Sequence, residues 1–133
     1  MTAAGVTLAG RAAAEALMVD ACAITRPLAS AGQDETTGRE VPATPTAIYT
    51  GPCRVQLENV EPAHPVAGDR VWTLQKAVIS IPAAQTGPVV GDVVTITASA
   101  LDSSMVGDTY RIRSVAAKTF LTARRMTCER VAG

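Results

Sequence analysis

The spacing of apolar and polar positions changes once along the chain. Over residues 7–20 it is helical. Ala13 and Ala14 stand one turn before Leu17, Met18 and Ala21, a modest apolar stripe. Ala12, Ala16, Leu17 and Met18 add good helix formers. Thr7 is the candidate N-cap, Arg11 and Glu15 are spaced for an i,i+4 ion pair, and Gly10 weakens the start. Such a helix either packs on a sheet or docks on a neighbouring subunit.

From residue 21 the period shortens to two, the mark of a strand. Cys22 and Ile24 alternate with Ala21, Ala23 and Thr25. Cys53, Val55 and Leu57 are expected to point inward, and Arg54, Gln56 and Glu58 outward. Residues 71–75 carry Trp72 and Leu74 on one face. Residues 77–81 are nearly all apolar, which suits a strand buried on both faces, and Pro82 stops it. Val94, Ile96 and Ala98 share a face, as do Tyr110 and Ile112 against Arg111 and Arg113. Residues 119–131 form one or two strands with Met126 and Cys128 inward and Arg125, Thr127 and Glu129 outward.

Between the strands, Gly68-Asp69, Gly91-Asp92 and Gly107-Asp108 supply turn chemistry, because glycine takes positive φ and aspartate bonds nearby backbone. Their unequal spacing excludes a repeat architecture. Two polar segments, 29–46 and 59–68, show neither period and are too long for tight turns. Short strands joined by Gly and Pro turns predict a mainly β domain, a small antiparallel barrel or sandwich with one short N-terminal helix and long polar loops.

Composition narrows the function classes. The 133 residues make one domain, able to bury roughly two-thirds of its extended-chain surface. Aromatics are 3%, so the core must be aliphatic and the chain is poorly equipped to stack on bases or sugars. Lys+Arg and Asp+Glu both number 12, so the basic excess of a dedicated nucleic-acid binder is missing, and weak self-repulsion suits life inside an assembly. No run reaches the length of a membrane span. Glu15 and Asp20 interrupt the early apolar stretch and no positive region precedes it, so no signal peptide is expected despite Ala21-Cys22-Ala23.

Candidate chemistry is sparse. Cys22, Cys53 and Cys128 are odd in number and lack CxxC spacing, which predicts small buried hydrophobes in a reducing cytosol. His64 has no second histidine or cysteine at ligand spacing and is expected in a solvated loop. Asp69, Asp92 and Asp108 follow glycines, which favours local hydrogen bonds over a shared cation. Phosphate-loop, dinucleotide, metalloprotease and nucleophile-elbow motifs are missing. The expectation is a protein that is not an enzyme and uses no cofactor or metal. Arg111, Arg113, Lys118, Arg124, Arg125 and Arg130 are expected as solvated or interface charge, or as weak non-specific contacts to a DNA backbone.

Several runs together carry a family resemblance: a Cys22-Ala23-Ile24-Thr25-Arg26 strand after a short helix, Asp34-Glu35-Thr36-Thr37-Gly38 in a polar loop, and Tyr49-Thr50-Gly51-Pro52-Cys53-Arg54-Val55-Gln56. Val90-Gly91-Asp92-Val93-Val94, Tyr110-Arg111-Ile112 and Thr127-Cys128-Glu129-Arg130 follow. Across nearly its whole length the chain resembles the small head-to-tail connector proteins of long-tailed actinobacterial phages, near the head-closure or stopper group. The Tyr49–Gln56 run is the most specific part.

The resemblance implies a compact β-barrel with a flanking helix. It also implies a homo-oligomeric, usually six-fold ring between portal-adaptor and tail proteins that helps close the DNA channel in the virion neck. It supplies no catalytic residue. On this reading Gln33, Asp34, Glu35, Thr36, Thr37, Gly38, Arg39 and Glu40 form a candidate inter-ring or channel loop. Glu61, His64 and Asp69 mark a candidate second interface loop. A tail-completion or tail-terminator protein, and a non-viral small-barrel binding module, are the alternatives; low aromatic content counts against the last.

Overall fold

A computed structural model describes residues 2–27, 38, 45–58 and 75–131. Helix α1 (Ala3–Ala16) is followed by β1 (Asp20–Arg26), β2 (Thr46–Glu58), β3 (Lys76–Pro82), β4 (Val93–Ser99), β5 (Thr109–Val115) and β6 (Ala123–Arg130). All neighbouring strands are antiparallel, and they close into a barrel in the order β1-β2-β3-β6-β5-β4. The expected mainly β fold with one N-terminal helix is therefore found, as a barrel. Closure pairs every strand with two neighbours, although, among the described residues, each half of β2 is paired on one side only.

The interior is aliphatic, as the scarcity of aromatics requires. Ile24, Ile79, Ile81, Ile96, Ile112 and Met126 are fully buried, with Tyr49 and Tyr110 the only aromatics among the described residues of the core. Tyr110, Ile112, Met126 and Cys128 point inward as expected, and residues 123–130 form a single strand.

β2 runs through Gly51 and Pro52. Its first half pairs with β1 up to Cys53, and its second half pairs with β3 from Arg54. Pro52 thus sits at the hand-over, where one side of the strand is unpaired and a missing N–H costs little. The Tyr49 ring lies over Gly51, and its hydroxyl donates to the Pro52 carbonyl at 2.7 Å. The most specific run of the sequence is thereby a device for building the barrel wall.

Three sequence expectations are corrected. The helix begins and ends four residues earlier than its apolar spacing indicates. Thr2, not Thr7, caps it by accepting from the Gly5 amide, and Leu17 is the exposed C-cap. Alanine propensity carries the N-terminal turns without an apolar stripe, while residues from Asp20 onward are claimed by pairing with β2 and β4. The stripe facing the barrel is Thr7, Gly10, Arg11 and Ala14, all half-buried. Arg11 donates to the Leu121 carbonyl at 2.9 Å rather than pairing with Glu15, and Gly10 permits close approach to Thr122.

Leu57 is the second correction: it is 61% exposed. It has the inward phase, opposite Ala77, but β2 at this point has run past the start of β1 and lacks cover on that side. Ala98 is the third. A bulge in β4 shifts the register so that Cys22 faces Ile96 while Ala21 faces Ala98. The inward phase passes to Ser99, whose hydroxyl donates to the buried Asp20 carboxylate at 2.8 Å.

β3 is buried on both faces in part, with Ala77, Ile79 and Ile81 inside and Ser80 buried on the outer side, where α1 packs on β3 and β6. The strand expected over residues 71–75, with Trp72 and Leu74, lies outside the described residues apart from Gln75.

Candidate functional site

The strand order places the connections. Residues 27–45, 83–92 and 116–122 join strands at one end of the barrel; residues 59–75 and 100–108 join them at the other. The two long polar segments are therefore anchored at opposite ends. Of the candidate residues in the first, Gly38 is described: it is exposed, with a left-handed φ of 68°. Gln33, Asp34, Glu35, Thr36, Thr37, Arg39 and Glu40 lie outside the described residues, as do Glu61, His64 and Asp69 in the second.

β3 and β4 stand on opposite sides of the barrel, so residues 83–92 must cross its first end. This crossover is clamped at both sides. Arg124 donates to the carbonyls of Ala83 at 3.0 Å, Gln85 at 3.2 Å and, on the β5–β6 connection, Ala116 at 3.2 Å. Arg26 donates from Nε and Nη2 to the two oxygens of Asp92 at 3.0 and 3.2 Å, and from Nη2 to the Gly87 carbonyl at 3.2 Å. Asp92 is 1% exposed and also accepts from the Val89 amide at 3.0 Å. Gly91, at φ 97°, makes the turn that brings this carboxylate inward. Asp92 thus does more than the local turn bond expected of a Gly-Asp pair. Residues 26 and 92 are too far apart in sequence for periodicity to join them.

The charges are segregated by strand. Arg111, Arg113 and Arg125 are exposed on the outside of β5 and β6. Glu129 pairs with Arg113 at 2.7 Å, and Asp108 with Arg130 at 3.1 Å, so much of the basic character is balanced locally. Arg124 spends its donors on the crossover. The adjoining outer face is uncharged. β1 contributes Ala21, Ala23 and Thr25; β2 sets Pro52, Thr50 and Ala47 beside them; β4 sets Ala98, Thr95 and Val93 on the other flank. Of these, the sequence pattern marks only Ala21, Ala23 and Thr25, the positions alternating with Cys22 and Ile24, and it places Ala98 on the inward face. The signal available was that every outward residue of β1 before Arg26 lacks charge.

Cys22, Cys53 and Cys128 are free and fully buried, and converge inside the barrel despite their distance in sequence. A hydrogen bond with Cys22, then burial, pushes the Cys53 thiol up. Burial, with Cys22 nearby, pushes the Cys128 thiol up to about 12 from 9.0. Burial likewise pushes the Tyr49 phenol up to about 12 from 10.0. These groups stay protonated in the folded chain at pH values where the unfolded chain ionises. Their contribution to stability is complete below about pH 9 and is lost as pH rises toward 12. Thermal melts at pH 8 and pH 10 should show the lower Tm at pH 10; an equal or higher Tm would contradict the burial argument. A thiol reagent at pH 8 should modify the cysteines only on unfolding.

Among the described residues no group of three or more His, Cys, Asp or Glu has the geometry to hold a metal ion. No described helix is long and apolar enough to cross a membrane.

The arrangement defines a class, a closed six-stranded antiparallel barrel carrying an N-terminal helix on its flank. The chain belongs to the family of unknown function DUF6093, whose model matches residues 10–129. No curated protein and no solved structure matches it.

Proposed function

We propose that this chain is a structural protein of a phage neck, a head-to-tail connector of the stopper kind that forms a ring between portal-adaptor and tail proteins. One observation carries the mechanical part of this reading: a small closed barrel has its two long polar connections anchored at opposite ends. A closed barrel with a long polar connection at each end suits a part that must meet one neighbour above and another below. The phage assignment rests on the sequence resemblance centred on residues 49–56. The zero formal charge and the arginines paired with carboxylates leave room for weak, non-specific contact with a DNA backbone and no more.

Deleting residues 33–40 tests the reading, because the segment leaves the barrel wall intact. The shortened protein should fold with an unchanged far-UV spectrum and fail to support infectious particles. Electron micrographs should show filled heads separated from tails. A normal yield of infectious particles would overturn the proposal. Heads fitted with incomplete tails would instead favour a tail-completion protein.

A further inference from the structure

Helix α1 is attached to the barrel by few contacts. None of its residues is fully buried. Thr7, Gly10, Arg11 and Ala14 are half-buried against the barrel, while Val6 and Leu8, its two largest apolar side chains, are 52% and 62% exposed. A helix that packs permanently on a domain ordinarily buries its large apolar side chains instead. Thr7 lies on the barrel-facing stripe, yet its hydroxyl donates back to the Ala3 carbonyl of the helix itself at 2.8 Å. Among the described residues, one hydrogen bond joins α1 to the barrel, from Arg11 Nε to the Leu121 carbonyl at 2.9 Å, and no ion pair does.

The chain changes character where the helix ends. Leu17, the C-cap, is 55% exposed, whereas Met18 is 6% exposed and Asp20 opens β1. β1 is then held by ladders to both β2 and β4. Movement of α1 is therefore confined to the chain before Met18. A helix of 14 residues is marginal in water without a face to bury. The order of α1 and its place on the barrel thus depend on the same two contacts, the Arg11 bond and the close approach of Gly10 to Thr122.

We propose that α1 is a strap that opens from the barrel as one unit, hinged at Leu17 and latched by Arg11, while the six strands stay folded. Opening uncovers the outer side of β3 and β6, where Ser80 is buried with α1 in place. Elements with few buried contacts open locally at much lower cost than the core, and the parts of a protein that move are drawn from them. The strap goes beyond the connector reading and does not rest on it.

Hydrogen exchange of the full chain tests this. Amides over residues 7–17 should exchange at least a hundredfold faster than those of β1, β3 and β6. Low urea should barely change the α1 rates, because the opening exposes little surface. Arg11→Gln removes the latch and should speed α1 exchange at least threefold with the strand rates unchanged. A second variant locks the strap. A Cβ at position 10 would lie 3.7 Å from Thr122 Cβ, close to the mean of about 3.8 Å between bridged cysteines. The double variant Gly10→Cys, Thr122→Cys should therefore oxidise to a cross-link, and its oxidised form should exchange over α1 at least tenfold more slowly than its reduced form.

Exchange of α1 at the rate of the strands would overturn the proposal, since the helix would then open only with the whole barrel. A cross-link that leaves α1 exchange unchanged would overturn it as well, by showing that the helix frays in place without leaving the barrel. So would an Arg11→Gln variant that speeds α1 and the strands alike.

Discussion

Replacing Ile79 with Ala is expected to lower the unfolding free energy by about 3–4 kcal/mol, in the upper half of the range for large-to-small core changes. Ile79 is fully buried, faces Val55 on β2 and Met126 on β6, and belongs to a core whose described residues are mostly aliphatic. The lost side chain removes transfer free energy and leaves a cavity. A closed barrel has little means of collapsing onto that cavity, because each strand is held by hydrogen bonds to both neighbours. Out of a stability of roughly 5–15 kcal/mol for a domain, such a loss is severe. It should appear as a fall in Tm of roughly 10–20 °C. Ile79→Val, which removes one methylene, should cost about 1 kcal/mol. If the alanine variant melts within a few degrees of the valine one, the interior is not packed as described.

The second large effect is expected at Asp92. Its carboxylate is buried at the foot of the crossover, takes two donors of Arg26 and one backbone amide, and fixes the crossover against the ends of β1 and β4. Asp92→Ala strands the Val89 amide and frees the Arg26 side chain. Arg26 is partly exposed and regains water, so the loss should lie at about 2–3 kcal/mol rather than at the higher figure for a fully enclosed pair. Asp92→Asn keeps the shape and one acceptor, and should retain part of the stability. Hydrogen exchange should locate the damage: the amides of Gly91 and Ile112, which bond Ile112 and Asp92 carbonyls at 3.0 and 2.9 Å, should lose protection before those of β2 and β3. Uniform loss across all strands would show that Asp92 supports the whole barrel rather than this end of it.

These effects bear on function because the crossover closes the end of the barrel from which residues 27–45 depart. Under the proposed connector role, which passes contact from one neighbour to another, that end must be stiff. The two arginines, Arg26 and Arg124, supply the stiffness with donors aimed at backbone carbonyls and one carboxylate. Sequence reading grouped Arg124 with the exposed arginines of the C-terminal third; its placement as a clamp comes from the topology.

The candidate site was less legible than the fold. Alternation over residues 22–24, 94–96, 110–112 and 126–128 was enough to name the inward side of four strands, because one buried face imposes period two on whatever sequence builds it. It failed at Ala98, where a bulge changes phase, and at Leu57, where the inward direction outlasts the barrel. Both are matters of what the neighbouring strand does, which local pattern does not encode. The helix was misplaced because its barrel-facing stripe is Thr, Gly, Arg and Ala rather than the large apolar residues that spacing rules look for.

The amino-acid sequence by itself determined a mainly β chain with an aliphatic interior, turns at Gly91-Asp92 and Gly107-Asp108 and a short alanine-rich helix, since burial, backbone sterics and helix propensity act within a few residues of their cause. Only the tertiary structure decided that the strands close in the order β1-β2-β3-β6-β5-β4. The same holds for the three distant cysteines sharing one interior, and for Arg26 meeting Asp92. It holds as well for the uncharged outer face that β2, β1 and β4 build together. Each of these joins residues far apart in the chain, and pairings of that range are fixed by the joint packing of all six strands rather than by any one of them.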